Sequence, residues 1–300
     1  MFNRVEVGGV WYMEYLTLNV MSRWSVPIFV MLTGFFMINP DKEVTIRQLY
    51  SKYILRLFVS LFFWSAFYAL FYKTSLFPLG SQEGHLWYVG MILGVYLAIP
   101  ILRFVAQNQL LLKYFIIVWL AFMCYSFCGD FIELPIDFRG TVFAKYTGYA
   151  LFGYYLRTII KPLSETKHKR WLHVLIYSFG LLGLMSMLVP MVITQGDEIP
   201  FYSYTSPGII AVCTAIFTFF ISHPITLPAK LGKWVRHCSS CTYGIYLMHI
   251  WFLVQIGNRI HRYIQLPIPW CIICVTIAFV GAYFVTSIIK KIPILNKYIV

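Results

Sequence analysis

Polar residues along this chain gather in short clusters. Between them the sequence runs apolar for about 20 residues at a time, the length that carries an α-helix across a bilayer. Nine such spans are predicted, with approximate limits 24–40, 54–77, 87–104, 111–129, 142–160, 172–194, 204–223, 240–258 and 269–289. The apolar–polar alternation of a transmembrane barrel strand is absent. Connections are short, and no internal repeat or low-complexity segment interrupts them. The expectation is an all-α, polytopic transmembrane helix bundle that forms a single integral membrane domain over residues 1–300.

Composition agrees with the pattern. Hydrophobic residues make up 60% of the 300, charged residues 12%, and mean hydropathy is +0.73; soluble domains carry about 25% charged residues. The net charge of +13 would raise nucleic-acid binding, but the basic residues sit in clusters between spans, as in "SETKHKRW" (164–171), which is how cytoplasmic loops of membrane proteins look. No nucleic-acid partner is expected.

Lys and Arg placement sets the orientation. With Lys42, Arg47 and Lys52 cytoplasmic, seventeen of the 24 basic residues share that side; Arg4, Arg23, Lys73, Arg139, Lys145, Arg259 and Arg262 face outward. The C-terminus is then cytoplasmic, and residues 1–21 lie outside ahead of an odd number of spans. That opening stretch holds Arg4, Glu6 and Glu14, reads as too polar for a clean span, and lacks the core and cleavage site of a signal peptide. The charge count therefore asks for a helix preceding this segment.

Two of the cysteine spacings are C-x-x-C: Cys238 with Cys241 in "HCSSC", and Cys271 with Cys274. Zinc normally takes four ligands, and no second pair lies in a comparable loop. These cysteines read as packing residues, and no metal is expected.

Five stretches carry candidate chemistry. In "YGIYLMHIWF" (243–252), His249 sits in an apolar run with Tyr246 and Thr242 at helical spacing on its face. It is either a cavity-lining group that binds substrate or moves a proton, or an interhelical hydrogen bond that locks packing. "SRWSVPIFVMLTGFFM" (22–37) puts Ser22 and Arg23 at an outer mouth, with Pro27 and Gly34 in the helix; Arg23 either holds an anionic group or snorkels to the interface. "GHLWYVGMILGVYLAIP" (84–100) places His85, Trp87 and Tyr88 at the outer boundary, as a sugar-binding mouth or as an aromatic belt. "RQLYSKYILRLF" (47–58) offers Arg47, Lys52 and Arg56 to the phosphates of a nucleotide-like donor, or simply obeys the positive-inside rule. The loop "GDFIELPIDFRG" (129–140) holds Asp130, Glu133, Asp137 and Arg139, as a general-base pair or an exposed charge network.

Taken in order, "SRWSVPIFVMLTGFFM", "YSKYILRL", "HLWYV…YLAIP", "ALFGYYLR" (150–157) and "TYGIYLMHIWF" resemble the membrane acyltransferase type 3 family, and within it the bacterial members that O-acetylate enterobacterial common antigen. The resemblance covers nearly all of residues 20–290. It implies a bundle of about ten transmembrane helices in the bacterial inner membrane. It also implies transfer of an acyl group, usually acetyl from acetyl-CoA as co-substrate with no bound cofactor, to a hydroxyl of a surface glycan or lipid-linked sugar. It carries catalytic roles to His249 and His85, and substrate or donor contacts to Ser22, Arg23, Arg56, Trp87, Tyr88 and Tyr246, with Pro27 and Gly34 in the same motif. Family members open with a helix holding an Arg and, about ten residues later, a His proposed as the catalytic base; residues 1–21 have Arg4 but no His. A lipid-linked sugar flippase, and an inactive chain lacking its first helix, are the competing expectations.

Overall fold

The computed structural model describes residues 10–39, 44–80, 84–132, 142–164, 170–193, 201, 203–260 and 267–300, and among these the regular structure is entirely helical. In chain order the helices are α1 (Val10–Ser22), α2 (Ser25–Met37), α3 (Ile46–Gln48), α4 (Leu55–Tyr72), α5 (Trp87–Gln107), α6 (Gln109–Cys128), α7 (Val142–Ser164), α8 (Arg170–Ile193), α9 (Pro207–Ser222), α10 (Ala229–Ile260), α11 (Pro267–Ile289) and α12 (Pro293–Tyr298). A π-helical stretch, Leu49–Ile54, joins α3 to α4, and a 3₁₀ turn, Gly84–Leu86, leads into α5.

Apolar side chains leave backbone groups no water in a bilayer, so the helix is the local solution. Polar residues mark its ends. The Asn108 side chain accepts from the N–H groups of Leu110 and Leu111 at 2.9 and 3.1 Å and starts α6. Ser206 accepts from Gly208 N–H at 3.2 Å, with Pro207 in the first turn of α9. Lys73, at φ 56°, ends α4 in the left-handed conformation.

Every one of the nine predicted spans falls on a helix, but among the described residues six segments are long and apolar enough to cross a membrane: Tyr12–Met37, Ile46–Tyr72, Gly84–Gln107, Gln109–Cys128, Trp171–Ile193 and Ile268–Ile289. Helix α9 has only 16 residues. Helices α7 and α10 are longer and more polar; the first turns of α10 carry Lys230, Lys233 and Arg236. The opening region also differs from expectation. Residues 10–22 are helical and join α2 in one apolar segment. The reason is where the charge lies: Glu14 is the one acid or base in α1, whereas Arg4 and Glu6 precede the described residues, as Glu133, Asp137 and Arg139 fall in a gap between them.

The chain divides into two compact units, one made of residues 1–43 and 98–225, the other of 44–97 and 226–300. In the first, α2 packs on α7 through reciprocal small residues. A Cβ on Gly34 would fall on the Ala150 carbonyl, and one on Gly153 would fall on the Met31 carbonyl. The last carbonyls of α2 are capped by arginines: Arg157 Nη1 donates to Phe35 O at 2.9 Å, and Arg103 Nη1 to Met37 O at 3.1 Å. In the second unit, Leu61, Trp64, Tyr68, Leu86, Val89, Leu247, Ile299 and Val300 form a buried core shared by α4, α5, α10 and the segment after α12.

Candidate active site

The side chains with the most chemical potential in the second unit hang from α4 and from α10. On α4, Arg56, Ser60, Trp64, Tyr68 and Tyr72 recur every four residues, so successive members are neighbours along a ridge that winds slowly round the helix. On α10 the matching residues are Tyr243, Tyr246, Leu247 and His249. The 3₁₀ turn before α5 inserts His85 between them.

His85 is gripped on all sides. Its Nε2 lies 3.2 Å from the Leu247 carbonyl. Its ring stands edge-on to Tyr68, Tyr246 and His249, with centroids 5.5, 5.6 and 5.3 Å away. The Tyr246 hydroxyl donates to the His85 carbonyl. The Tyr68 hydroxyl donates to Leu247 O at 2.9 Å. His249 Nδ1 is 2.6 Å from the Tyr246 carbonyl.

These contacts decide the tautomers. A carbonyl oxygen only accepts, so His85 carries its proton on Nε2 and His249 carries one on Nδ1. In the neutral ring of His85, Nδ1 is then a basic lone pair. It is buried and has no hydrogen-bond partner among the described residues. A buried acceptor without a partner loses its solvation for nothing in the resting state, and a hydroxyl brought beside it would satisfy it. The Trp251 indole N–H, two residues beyond His249, is also buried and unpartnered among those residues.

Tyr88 extends this aromatic wall, 5.3 Å from Tyr246; Trp87 is 41% exposed and meets Tyr88 edge-on at 6.3 Å. Thr242, expected on the His249 face, instead is exposed and bonds back to the Cys238 carbonyl at 3.4 Å. Its neighbour Tyr243 takes the inward place and donates to Ser60 Oγ at 2.9 Å.

Arg56 lies lower on the ridge. Its guanidinium carbon is 5.7 Å from the Tyr243 ring centroid, its Nη2 donates to the main-chain oxygen of Val300, and its Nε is buried without a partner among the described residues. It lies in the first turn of α4, two residues past the π-helical stretch, a local irregularity common at functional sites.

Ser22, the last residue of α1, and Arg23, in the break before α2, belong to the first unit. Arg23 Nε donates to Asn19 Oδ1 at 2.8 Å and its guanidinium faces Tyr204 at 5.9 Å; the Ser22 hydroxyl donates to the Asn19 carbonyl at 2.8 Å. Here both side chains serve the junction of the two helices. The seven cysteines are free, and no group of three potential metal ligands exists among the described residues.

Of the sequence candidates, His85, His249, Tyr246 and Tyr88 come together, with Trp87 at their edge. Tyr68 and the Leu247 carbonyl are new. The four-residue recurrence along α4 was the available signal for Tyr68.

No curated protein and no solved structure matches the chain at a significant level. The acyltransferase domain model Acyl_transf_3 matches residues 3–287, nearly the whole length. The chain with this histidine-centred site therefore belongs to the acyltransferase 3 family.

Proposed function

We propose that this membrane acyltransferase moves acetyl from acetyl-CoA to a hydroxyl of a surface glycan or lipid-linked sugar at the bacterial inner membrane, as the enterobacterial common antigen O-acetyltransferases it resembles do. The observation that carries the reading is the His85 ring: one nitrogen is locked as a donor by Leu247 O, and the other is a buried base that accepts from no group among the described residues.

In the reaction, His85 Nδ1 takes the proton of the acceptor hydroxyl. That oxygen bonds to the thioester carbonyl carbon, the carbon–sulfur bond breaks, and CoA leaves as thiolate, which the imidazolium reprotonates. His249, held by Tyr246 O beside His85, aligns the ring and serves as a second proton carrier. Tyr88 and Trp87 supply aromatic faces for a sugar. Arg56 meets the phosphate-bearing part of the donor, on the side that the Lys and Arg bias makes cytoplasmic.

The test is transfer of radiolabelled acetyl from acetyl-CoA to lipid-linked glycan in membranes expressing the protein. Label in the glycan, lost on His85→Ala, is the expected result. Glycan translocation without acetyl-CoA consumption would instead identify a flippase.

A further inference from the structure

Polar side chains also meet between α8 and α9, in the first unit. The two helices run antiparallel and touch through small residues. A Cβ on Gly180 would fall on the Ala215 side chain, and one on Gly183 would fall on the Gly208 carbonyl and the Ala211 methyl. Two turns nearer the start of α8 and the end of α9, the same faces become polar: His173 Nε2 lies 3.0 Å from Ser222 Oγ. Between these levels the helical spacing sets Tyr177 across from Thr218 and Phe219, and the Tyr177 ring meets Phe219 edge-on at 6.3 Å.

The hydroxyls of that middle level are unused. Thr218 is 0% exposed. Its Oγ1 and the Tyr177 hydroxyl are both buried without a hydrogen-bond partner among the described residues. Thr214, one turn earlier, bonds back to the Ile210 carbonyl at 2.7 Å, the usual recourse of a helical threonine; Thr218 makes no such bond. The Tyr177 ring lies 6.2 Å from His173, and aromatic side chains on a helix lean toward its N-terminus, so the phenol is carried toward the His173 level. His173 and Ser222 are half-buried. The pair therefore forms a mouth, the two hydroxyls an interior, and the Gly180–Ala215 contact a floor. Locking α8 to α9 needs the His173–Ser222 bond alone. It does not need two buried hydroxyls behind that bond, each of which loses its solvation for nothing in the resting state.

We propose that Ser222 and His173 form a second acyl-transfer centre, in which an acyl thioester acylates the Ser222 hydroxyl. The inference takes its donor, acetyl-CoA, from the function proposed above. A nucleophile within hydrogen-bond reach of a base is the arrangement such a step needs. His173 Nε2 takes the Ser222 proton, Oγ bonds to the thioester carbonyl carbon, and the oxyanion accepts from the Tyr177 hydroxyl. The carbon–sulfur bond then breaks. CoA leaves as thiolate and takes the proton from the imidazolium, and the acetyl group stays on Ser222 as an ester. Each step reverses, so a second CoA thiol can collect the acetyl group. The His85 route has no such half-reaction, because there the acceptor hydroxyl attacks the thioester directly. His173 follows the basic 164–171 stretch by two residues, on the side that the Lys and Arg bias makes cytoplasmic, where CoA is found.

The experiment incubates the purified full chain in lipid nanodiscs with acetyl-CoA and radiolabelled CoA, with no glycan present. Label is expected to pass into acetyl-CoA, and peptide mapping of the quenched protein should find acetyl on Ser222. Ser222→Ala should abolish both signals. His173→Gln, which can still bond to Ser222, and Tyr177→Phe should each slow exchange by about 10²-fold. His85→Ala should exchange as the parent does. Exchange that persists in Ser222→Ala, or at the parent rate in His173→Gln, overturns the centre. Where the alanine variant does not fold, mapping of the parent decides, and acetyl absent from Ser222 overturns it. If the parent acetylates glycan but neither exchanges label nor carries the ester, only this centre fails. If Ser222 is acetylated but glycan never is, the glycan reading fails and the centre stands.

Discussion

Tyr68 and His85 donate to one oxygen, the Leu247 carbonyl, at 2.9 and 3.2 Å. The two residues come from α4 and from the turn ahead of α5, and the shared acceptor ties both to α10. Tyr68 is fully buried and its ring edge rests on the imidazole, so it fixes the carbonyl against which His85 sets its tautomer. Tyr68→Phe keeps the ring contact and deletes one hydrogen bond, worth about 0.5–1.5 kcal/mol. The expected outcome is a small fall in melting temperature and a several-fold fall in kcat, with KM for acetyl-CoA unchanged. A Phe variant with wild-type turnover would show that His85 does not depend on Tyr68.

The two histidines are not equivalent. His85 holds a basic nitrogen without a partner among the described residues, and general-base catalysis is worth about 10²–10⁴-fold. His85→Ala should lose acetylation by that order. His85→Gln should be as inactive, because an amide can donate to Leu247 but has no basic nitrogen, while the protein stays folded. His249 acts through its contact with His85 and Tyr246, so His249→Ala should lower acetylation by about tenfold. Glycan acetate content in membranes expressing each variant separates the roles, and acetate unchanged in His249→Ala would remove His249 from the mechanism.

Helical intervals were legible in the sequence because runs of apolar residues leave the backbone one solution in lipid. The way the site comes together was not. The Tyr68–Leu247 bond joins residues 179 positions apart, and no periodicity on either helix states which faces meet. The substitution of Tyr243 for Thr242 on the inward face shows the limit: one residue is 100° of rotation on a helix, and the hydrophobic pattern of α10 is too uniform there to resolve it. Arg23 illustrates another limit: its Nε bond to Asn19 Oδ1, one turn earlier, is local, yet hydropathy alone does not reveal it.

Two glycines make the α2–α7 contact specific. Gly34→Ala and Gly153→Ala would each drive a methyl into a backbone carbonyl of the facing helix, and backbone yields less readily than a flexible side chain. Overpacking of this kind costs about 1–3 kcal/mol or more. Gly90 is the control, because a Cβ there meets nothing within 4 Å. Thermal unfolding in detergent should place both α2–α7 variants well below the parent and Gly90→Ala at or slightly above it, as helix propensity favours Ala over Gly. Equal melting temperatures for all three would refute close approach of α2 and α7.

Arg157 closes the same helix at its C-terminal end. It donates to the Phe35 carbonyl at 2.9 Å and its guanidinium lies 4.8 Å from the Phe35 ring centroid, while Arg103 takes the Met37 carbonyl at 3.1 Å. Both cations sit where the helix dipole is negative and carbonyls lack intrahelical donors. Arg157→Lys keeps the charge but gives up the planar fork that lies on the ring and reaches the carbonyl together. It should lower stability by about 1 kcal/mol, close to the loss for Arg157→Ala. Because Arg157 and Arg103 hold carbonyls two residues apart on one helical turn, removing both should destabilise by an amount different from the sum of the single losses. A double-mutant cycle on melting free energies reads that difference, and strict additivity would show that the two arginines cap α2 independently.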